Sequence, residues 1–182
     1  MKVVLLTGGA ERHHRFAAAV PHVKHILLSD TGLAAKFYGD GPVLSMVRPH
    51  RPDVIFVYGT GKLGPELVHA APFVLNFHGG DPERYRGLDS HLWALYHKDF
   101  DALQVTLHHV DDGLDTGDIV FQTQLSVGSV ADLQAQTELA CVQLAHLALH
   151  GIEAGFLPRR KQRTKGRYYS RMPQELRGLF AP

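Results

Sequence analysis

The chain has 182 residues, 45% of them hydrophobic and 20% charged, and a formal net charge of +1. That length suits one domain with a real core, and the composition is that of an ordinary soluble globular protein. The near-zero charge gives no global case for binding nucleic acid or a membrane surface, and no apolar run reaches the ~20 residues that a bilayer span needs.

In chain order, Val3 to Thr7 reads as a buried strand ended by Gly8-Gly9. The run after Lys2 stops too soon for the core of a signal peptide. Arg12 to Val20 suits a short helix, His25 to Ser29 a second strand, and Gly41 to His50 a helix closed by Arg51-Pro52. Asp53 to Tyr58 is a third strand ending at Gly59, Pro65 to Ala71 a helix, and Phe73 to His78 a fourth strand. Leu88 to His97 suits a helix, Gln104 to Val110 and Asp118 to Gln124 two later strands, and Val130 to Gly151 the longest helix. Strands alternating with helices predict an α/β fold, a single domain with an open, largely parallel Rossmann-like sheet and flanking helices. The catalytic domain is expected over residues 1–158. The long helix is expected to bury its apolar side in its own core or in a homodimer.

From 159 onward the chain turns basic: Lys or Arg stands at 159, 160, 161, 163, 165, 167, 171 and 177, against one acid, Glu175. Residues 159–182 read as a solvated end, as a tail packed near the substrate site, where positive charge attracts phosphate, or, third, as a nucleic-acid patch. In the second case Tyr168-Tyr169 offers a stacking surface.

The single cysteine, Cys141, cannot form an internal disulfide, fits a reducing cytoplasm, and lies in the apolar pattern of the long helix as packing. The thirteen histidines raise the question of a metal. The adjacent pair His108-His109 lies in a predicted strand, where neighbours face opposite ways and cannot grip one ion together. Neither H-E-x-x-H nor a cysteine cluster occurs. Asp111, Asp112 and Asp115 crowd one loop but lack the spacing and distal Glu of a Ca²⁺ loop. No metal is expected. Gly8-Gly9 does not make G-x-G-x-x-G, so a dinucleotide is not expected either.

Two segments carry the chemistry. On Phe73 to His78 the period of two puts Asn76 and His78 on one face, at the carboxyl end of a strand, where open α/β sheets collect ligands. Gly79-Gly80 follows, leaving room for close approach of a ligand. In Thr106 to Gly117, Asp115 sits in an Asp/Gly-rich turn.

In combination, N-x-H at 76–78, Y-R-G at 85–87 and H-x-V-x-x-x-x-D-x-G at 108–117 resemble the folate-dependent formyltransferase family. That family includes glycinamide ribonucleotide, methionyl-tRNA and sugar N-formyltransferases. The resemblance covers about Asp53 to Gln124. It implies that Asn76, His78 and Asp115 are catalytic and that 10-formyltetrahydrofolate is the co-substrate. It places the folate against Gly59, Thr60, Gly61, Lys62 and Leu63 on one side and Val110, Asp111 and Gly113 on the other. It places the amine substrate near Gly8, Gly9, Arg84, Tyr85 and Arg86 and along the tail at Tyr168. The stretch from Asp53 to Gly87, the Gly59-Thr60 turn and Trp93 look like the sugar branch, so the expected partner is a nucleotide-linked amino sugar. The ending G-R-Y-Y-S-R-M-P at 166–173 also looks like tails of short formyltransferases of that branch. The methionyl-tRNA enzymes carry a further C-terminal domain, for which 182 residues leave no room. The alternatives are another small-amine formyltransferase, a hydrolase of formylated folate, and a nucleotide-binding module without activity. The sequence departs from the family at Gln104, where Gly is usual, at Gly80-Asp81-Pro82, where Leu-Pro or Ser-Pro usually follows the histidine, and in a short segment before Asp53. These departures bear on the amine more than on the reaction.

Overall fold

The computed structural model describes residues 1–20, 23–27, 37–38 and 40–180. The chain runs β1 (Val3–Thr7), α1 (Glu11–Ala19), β2 (Val23–Leu27), β3 (Phe37–Tyr38), α2 (Asp40–Val47), β4 (Val54–Tyr58), β5 (Lys62–Leu63), α3 (Pro65–Val68) and β6 (Phe73–His78). It continues with β7 (Tyr85–Gly87), α4 (Ser90–Tyr96), β8 (Gln104–His109), β9 (Ile119–Gln124), α5 (Val130–Glu153), β10 (Arg167–Tyr169) and α6 (Gln174–Arg177).

A six-stranded sheet in the order β2-β1-β4-β6-β8-β9 forms the centre. The first four strands are parallel, and β8 and β9 run antiparallel as a closing hairpin. β1 and β4 are buried along their whole length, as continuous apolar runs covered on both faces must be. Alternate residues feed two separate cores. Val3, Leu5, Val54 and Phe56 pack with Phe16 of α1 and Ala140, Cys141 and Leu144 of α5. Val4, Leu6, Ile55 and Val57 pack with Val43, Leu44 and Val47 of α2 and Leu67 of α3.

The predicted Rossmann-like α/β sheet is therefore present, with shifted ends. The second strand begins at Val23, two residues before the predicted start, and Leu28 and Ser29 lie outside the described residues. The helix expected over Pro65 to Ala71 stops at Val68, because the chain must extend into β6 at Phe73. α5 starts where Ser129 and Asp132 exchange capping hydrogen bonds of 3.0 and 3.2 Å, and it ends before Gly155, which supplies a φ of +77°. The lone thiol of Cys141 is 1% exposed and burial pushes it up to about 12, so it stays protonated packing.

Two small parallel pairs, β3–β5 and β7–β10, have no counterpart in the sequence reading. The second draws the tail onto the body. Arg160 makes a backbone bridge with Ile119, Gly166 N–H donates to the Pro82 carbonyl at 3.2 Å, and the Trp93 indole donates to the Ser170 carbonyl at 2.9 Å. Tyr169 stacks on Tyr85 at 5.2 Å between centroids and lies 5.1 Å from Trp93. Among the described residues no helix is long and apolar enough to cross a membrane.

Candidate active site

β6 carries Asn76 and His78 on one face, and the pairing with β8 adds two more polar residues. Asn76 lies directly opposite His108 and His78 opposite Thr106, and directly paired residues of antiparallel strands share a face. The loop after β8 then folds back so that the Asp115 carboxylate sits among them. Asp115 Oδ1 lies 3.3 Å from Asn76 Nδ2 and 3.6 Å from His108 Nε2. Its Oδ2 lies 3.5 Å from His78 Nδ1 and accepts the Gly87 N–H at 2.7 Å.

The outer ring nitrogens settle the tautomers. His78 Nε2 donates to the Tyr85 carbonyl at 2.8 Å, and His108 Nδ1 donates to the His109 carbonyl at 2.7 Å. A carbonyl only accepts, so in the neutral rings the nitrogens facing Asp115 carry lone pairs. His108 Nε2 therefore accepts from Asn76 Nδ2 at 3.1 Å, while His78 Nδ1 faces the carboxylate acceptor to acceptor. A proton placed there turns that contact into a charge-assisted hydrogen bond. Burial alone would raise the Asp115 carboxyl. The charge of His78 and the bond and charge of His108, once those rings are protonated, together with the Gly87 N–H, outweigh it and hold the group well below the usual carboxylate range.

Asp115 takes a left-handed backbone, φ +53°, which costs a non-glycine residue on the order of 1 kcal/mol or more. The loop around it is closely built. Asp111 Oδ1 accepts from Gly113 N–H at 3.0 Å and from the Thr116 hydroxyl at 2.7 Å. Gly117 passes so near the His109 carbonyl that a Cβ would overlap it.

Asn76, His108 and Asp115 form part of one pocket with Val57. Thr60, Gly61, Lys62 and Leu63 line one side of it. Val110, Asp111, Gly113 and Leu114 line another. Seven of the eight residues expected to hold the folate thus meet Asn76, His108 and Asp115 in one depression. Gly59 does not line it; its φ is +66° and it packs against the His13 ring. His78 is 5% exposed and stands behind Asp115 rather than on the pocket surface. Among the described residues no cluster of His, Cys, Asp or Glu could hold a metal ion.

The residues expected at the amine are placed differently. Gly8 abuts the Gly59 carbonyl at the end of β1, and neither Gly8 nor Gly9 lines the pocket. Arg84 is paired with Asp99. Tyr85 is buried and meets the site through its carbonyl. The Arg86 guanidinium donates to the Leu114 carbonyl at 2.9 Å and the Gly166 carbonyl at 2.6 Å, so it braces the loop and the tail. Tyr168 is 53% exposed, with its ring against Gly87, the residue whose N–H holds Asp115.

Sequence reasoning missed three contributors. His108 stood in the quoted motif without a role, though its place in that motif was a signal. The Gly87 N–H and Gln162, which donates to the carbonyls of Asp115 and Gly117, left no trace in any pattern.

The model for the family described as formyl transferase matches residues 5–149. The chain belongs to the formyl transferase family. Over 91 residues, 49% of this chain and 29% of the relative, it is 36% identical to a methionyl-tRNA formyltransferase of Anaeromyxobacter dehalogenans. HypX of Aquifex aeolicus superposes with a TM-score of 0.78 at 20% identity, over 97% of this chain and 32% of that one. The formyltransferase PseJ of Anoxybacillus kamchatkensis was solved with UDP-4,6-dideoxy-4-formamido-L-AltNAc and tetrahydrofolate. It superposes with a TM-score of 0.69 at 21% identity, over 93% of this chain and 86% of that one. At such identities these structures share the formyl transferase fold. The chain spans less than half the length of the curated relatives, 29% of the first and 46% of one from Geobacter metallireducens.

Proposed function

We propose that this formyl transferase family member moves a formyl group from 10-formyltetrahydrofolate to the amine of a small molecule, with a nucleotide-linked amino sugar as the acceptor. The observation that carries the reaction is the meeting of Asn76, His108 and Asp115 with the 60–63 and 110–114 segments in one pocket. The amine nitrogen attacks the formyl carbon, the bond from that carbon to N10 of the folate breaks, and N10 leaves with a proton. Asn76 exchanges a hydrogen bond to Asp115 for one to the developing oxyanion, a donor contribution of about 3–4 kcal/mol in comparable sites. The amine proton passes to His78 Nδ1, directly or through water, Asp115 stabilises the resulting cation, and His78 returns that proton to the departing N10. The depressed Asp115 carboxyl suits this role better than that of final proton acceptor, because a base far below the working pH takes a proton poorly. Neither step asks for a metal.

Support for a nucleotide-linked acceptor comes from PseJ, whose ligand is of that class and whose length this chain nearly spans, and from the exposed Tyr168 ring beside Gly87. A single cysteine suits work in a reducing cytoplasm. A second reading, formylation of a methionyl-tRNA amine, is favoured by the curated relatives of that name.

The deciding experiment incubates the protein with 10-formyltetrahydrofolate and a UDP-linked 4-amino sugar, glycinamide ribonucleotide, methionyl-tRNA, or no acceptor. Formamido-sugar formation supports the first reading, and formyl-methionyl-tRNA the second. Formate release without acceptor marks a hydrolase, and failure to consume the folate in every arm rejects formyl chemistry.

A further inference from the structure

We propose that Gln162 is a positioning residue for Asp115, its side-chain amide holding the backbone of the 111–117 loop so that the carboxylate keeps facing His78 and His108. This rests on the reading above in taking Asp115 as the carboxylate of the reaction.

Gln162 Nε2 donates to the Asp115 carbonyl and to the Gly117 carbonyl, each at 2.9 Å. Two carbonyls facing one amide can only be met by its nitrogen, so both amide protons are engaged and the orientation is unambiguous. The contacts of His78 and His108 and the hydrogen bonds from Asn76 and Gly87 all end on the Asp115 side chain. They leave the peptide plane that follows Asp115 unheld. The left-handed φ of +53° makes that plane the weak point, since a relaxed backbone would swing the carboxylate off both rings. Gln162 holds the carbonyl after the Asp115 Cα, and Arg86 holds the one before it, that of Leu114.

The amide is itself firmly placed. On its N-terminal side Arg160 bridges Ile119 with backbone bonds of 2.7 and 2.9 Å and reaches both Glu83 oxygens. On the other side Arg163 N–H meets Glu83, and the Thr164 hydroxyl donates to the Glu83 carbonyl at 2.9 Å. Gln162 lies beyond residues 5–149, the stretch that the family model matches, so this segment adds its own brace to the shared catalytic loop.

The test compares wild type with Gln162→Ala and Gln162→Glu in the full chain. Glu keeps the volume but presents acceptors to two carbonyls. Three quantities are measured: kcat and KM with the formyl folate and the active amine, the titration of the Asp115 carboxyl carbon by NMR, and the melting temperature. The groups facing that carboxyl are Asn76 and His78 from β6, His108 from β8 and the Gly87 N–H of β7, and the nearby Arg86 guanidinium is engaged by the Leu114 and Gly166 carbonyls. Both variants should lose about 10-fold or more in kcat with KM for the folate changed less than about 2-fold. The Asp115 titration should move to higher pH as the carboxylate leaves the rings. A melting temperature lowered while kcat and titration stay as in wild type would show a strut for the tail and overturn the proposal, as would wild-type kcat in Gln162→Glu. Should Gln162→Ala not fold, Gln162→Glu carries the comparison. Should wild type formylate nothing, the function reading falls, and an unmoved Asp115 titration still rejects the role of Gln162.

Discussion

Asp115 Oδ2 accepts the Gly87 N–H at 2.7 Å, and this bond ties the loop after β8 to the short strand β7 that the tail pairs with. The same oxygen lies 3.5 Å from His78. One carboxylate therefore joins β6, β8, β7 and the loop, and the site and the tail's docking surface are one construction.

The first prediction concerns that joint. Asn76→Ala, His78→Ala and Asp115→Asn should each lower kcat at least ~100-fold while circular dichroism and melting show a folded protein. Near-normal turnover in folded His78→Ala would remove it from the reaction.

The depressed Asp115 carboxyl makes a statement about acid stability. Its folded value lies below its unfolded one, near 3.9, so its contribution is fully present above about pH 4 and is lost as pH falls further. Urea unfolding from pH 7 to pH 3 should show wild type falling more steeply below about pH 4 than Asp115→Asn. Parallel curves would contradict the charge arrangement.

His91 acts in another window. Burial lowers it to about 4 although its Nε2 donates to the Gln104 carbonyl at 2.6 Å. The folded ring stays neutral while the unfolded one charges near 6.5, so stability should drop as pH falls from about 6.5 to 4 and level off below. The loss is on the order of 3 kcal/mol. His91→Gln, which can still donate, should flatten that segment of the pH–stability curve, and an unchanged slope would point to another histidine.

Gly117→Ala places a Cβ on the His109 carbonyl, so the loop must shift. Activity should fall at least ~10-fold, with a stability cost of about 1–3 kcal/mol. A crystal structure of the variant with Asp115 unmoved would refute this.

Arg160→Ala removes a paired guanidinium from Glu83 and Gln122 and should lower stability by about 1–2 kcal/mol, discounted for its partial exposure. Because Arg160 and Arg159 are committed to Glu83 and Asp118, neutralising them tests tail docking more than substrate phosphate. Tyr168→Ala tests the substrate instead: it should raise KM for a nucleotide-linked amine with melting unchanged.

The strands of the sheet were legible because burial on both faces demands continuous apolar runs, as in Val3 to Thr7 and Val54 to Tyr58. The pairing of Asn76 with His78 followed from the two-residue period of β6 alone. Family resemblance supplied Asp115 and the residues expected at the folate, which no local pattern could join to that strand. The tertiary structure alone decided that His108 faces Asn76 across an antiparallel pair, that His78 stands behind Asp115, and that the basic tail is docked by specific ion pairs and a β-strand. The physical reason is one of range. Periodicity reports which side of its own element a residue faces, whereas the contacts of Asp115 with Gly87 and of Gln162 with the loop join segments 28 and 47 residues apart. Only the closed chain brings those hydrogen-bonding groups within reach.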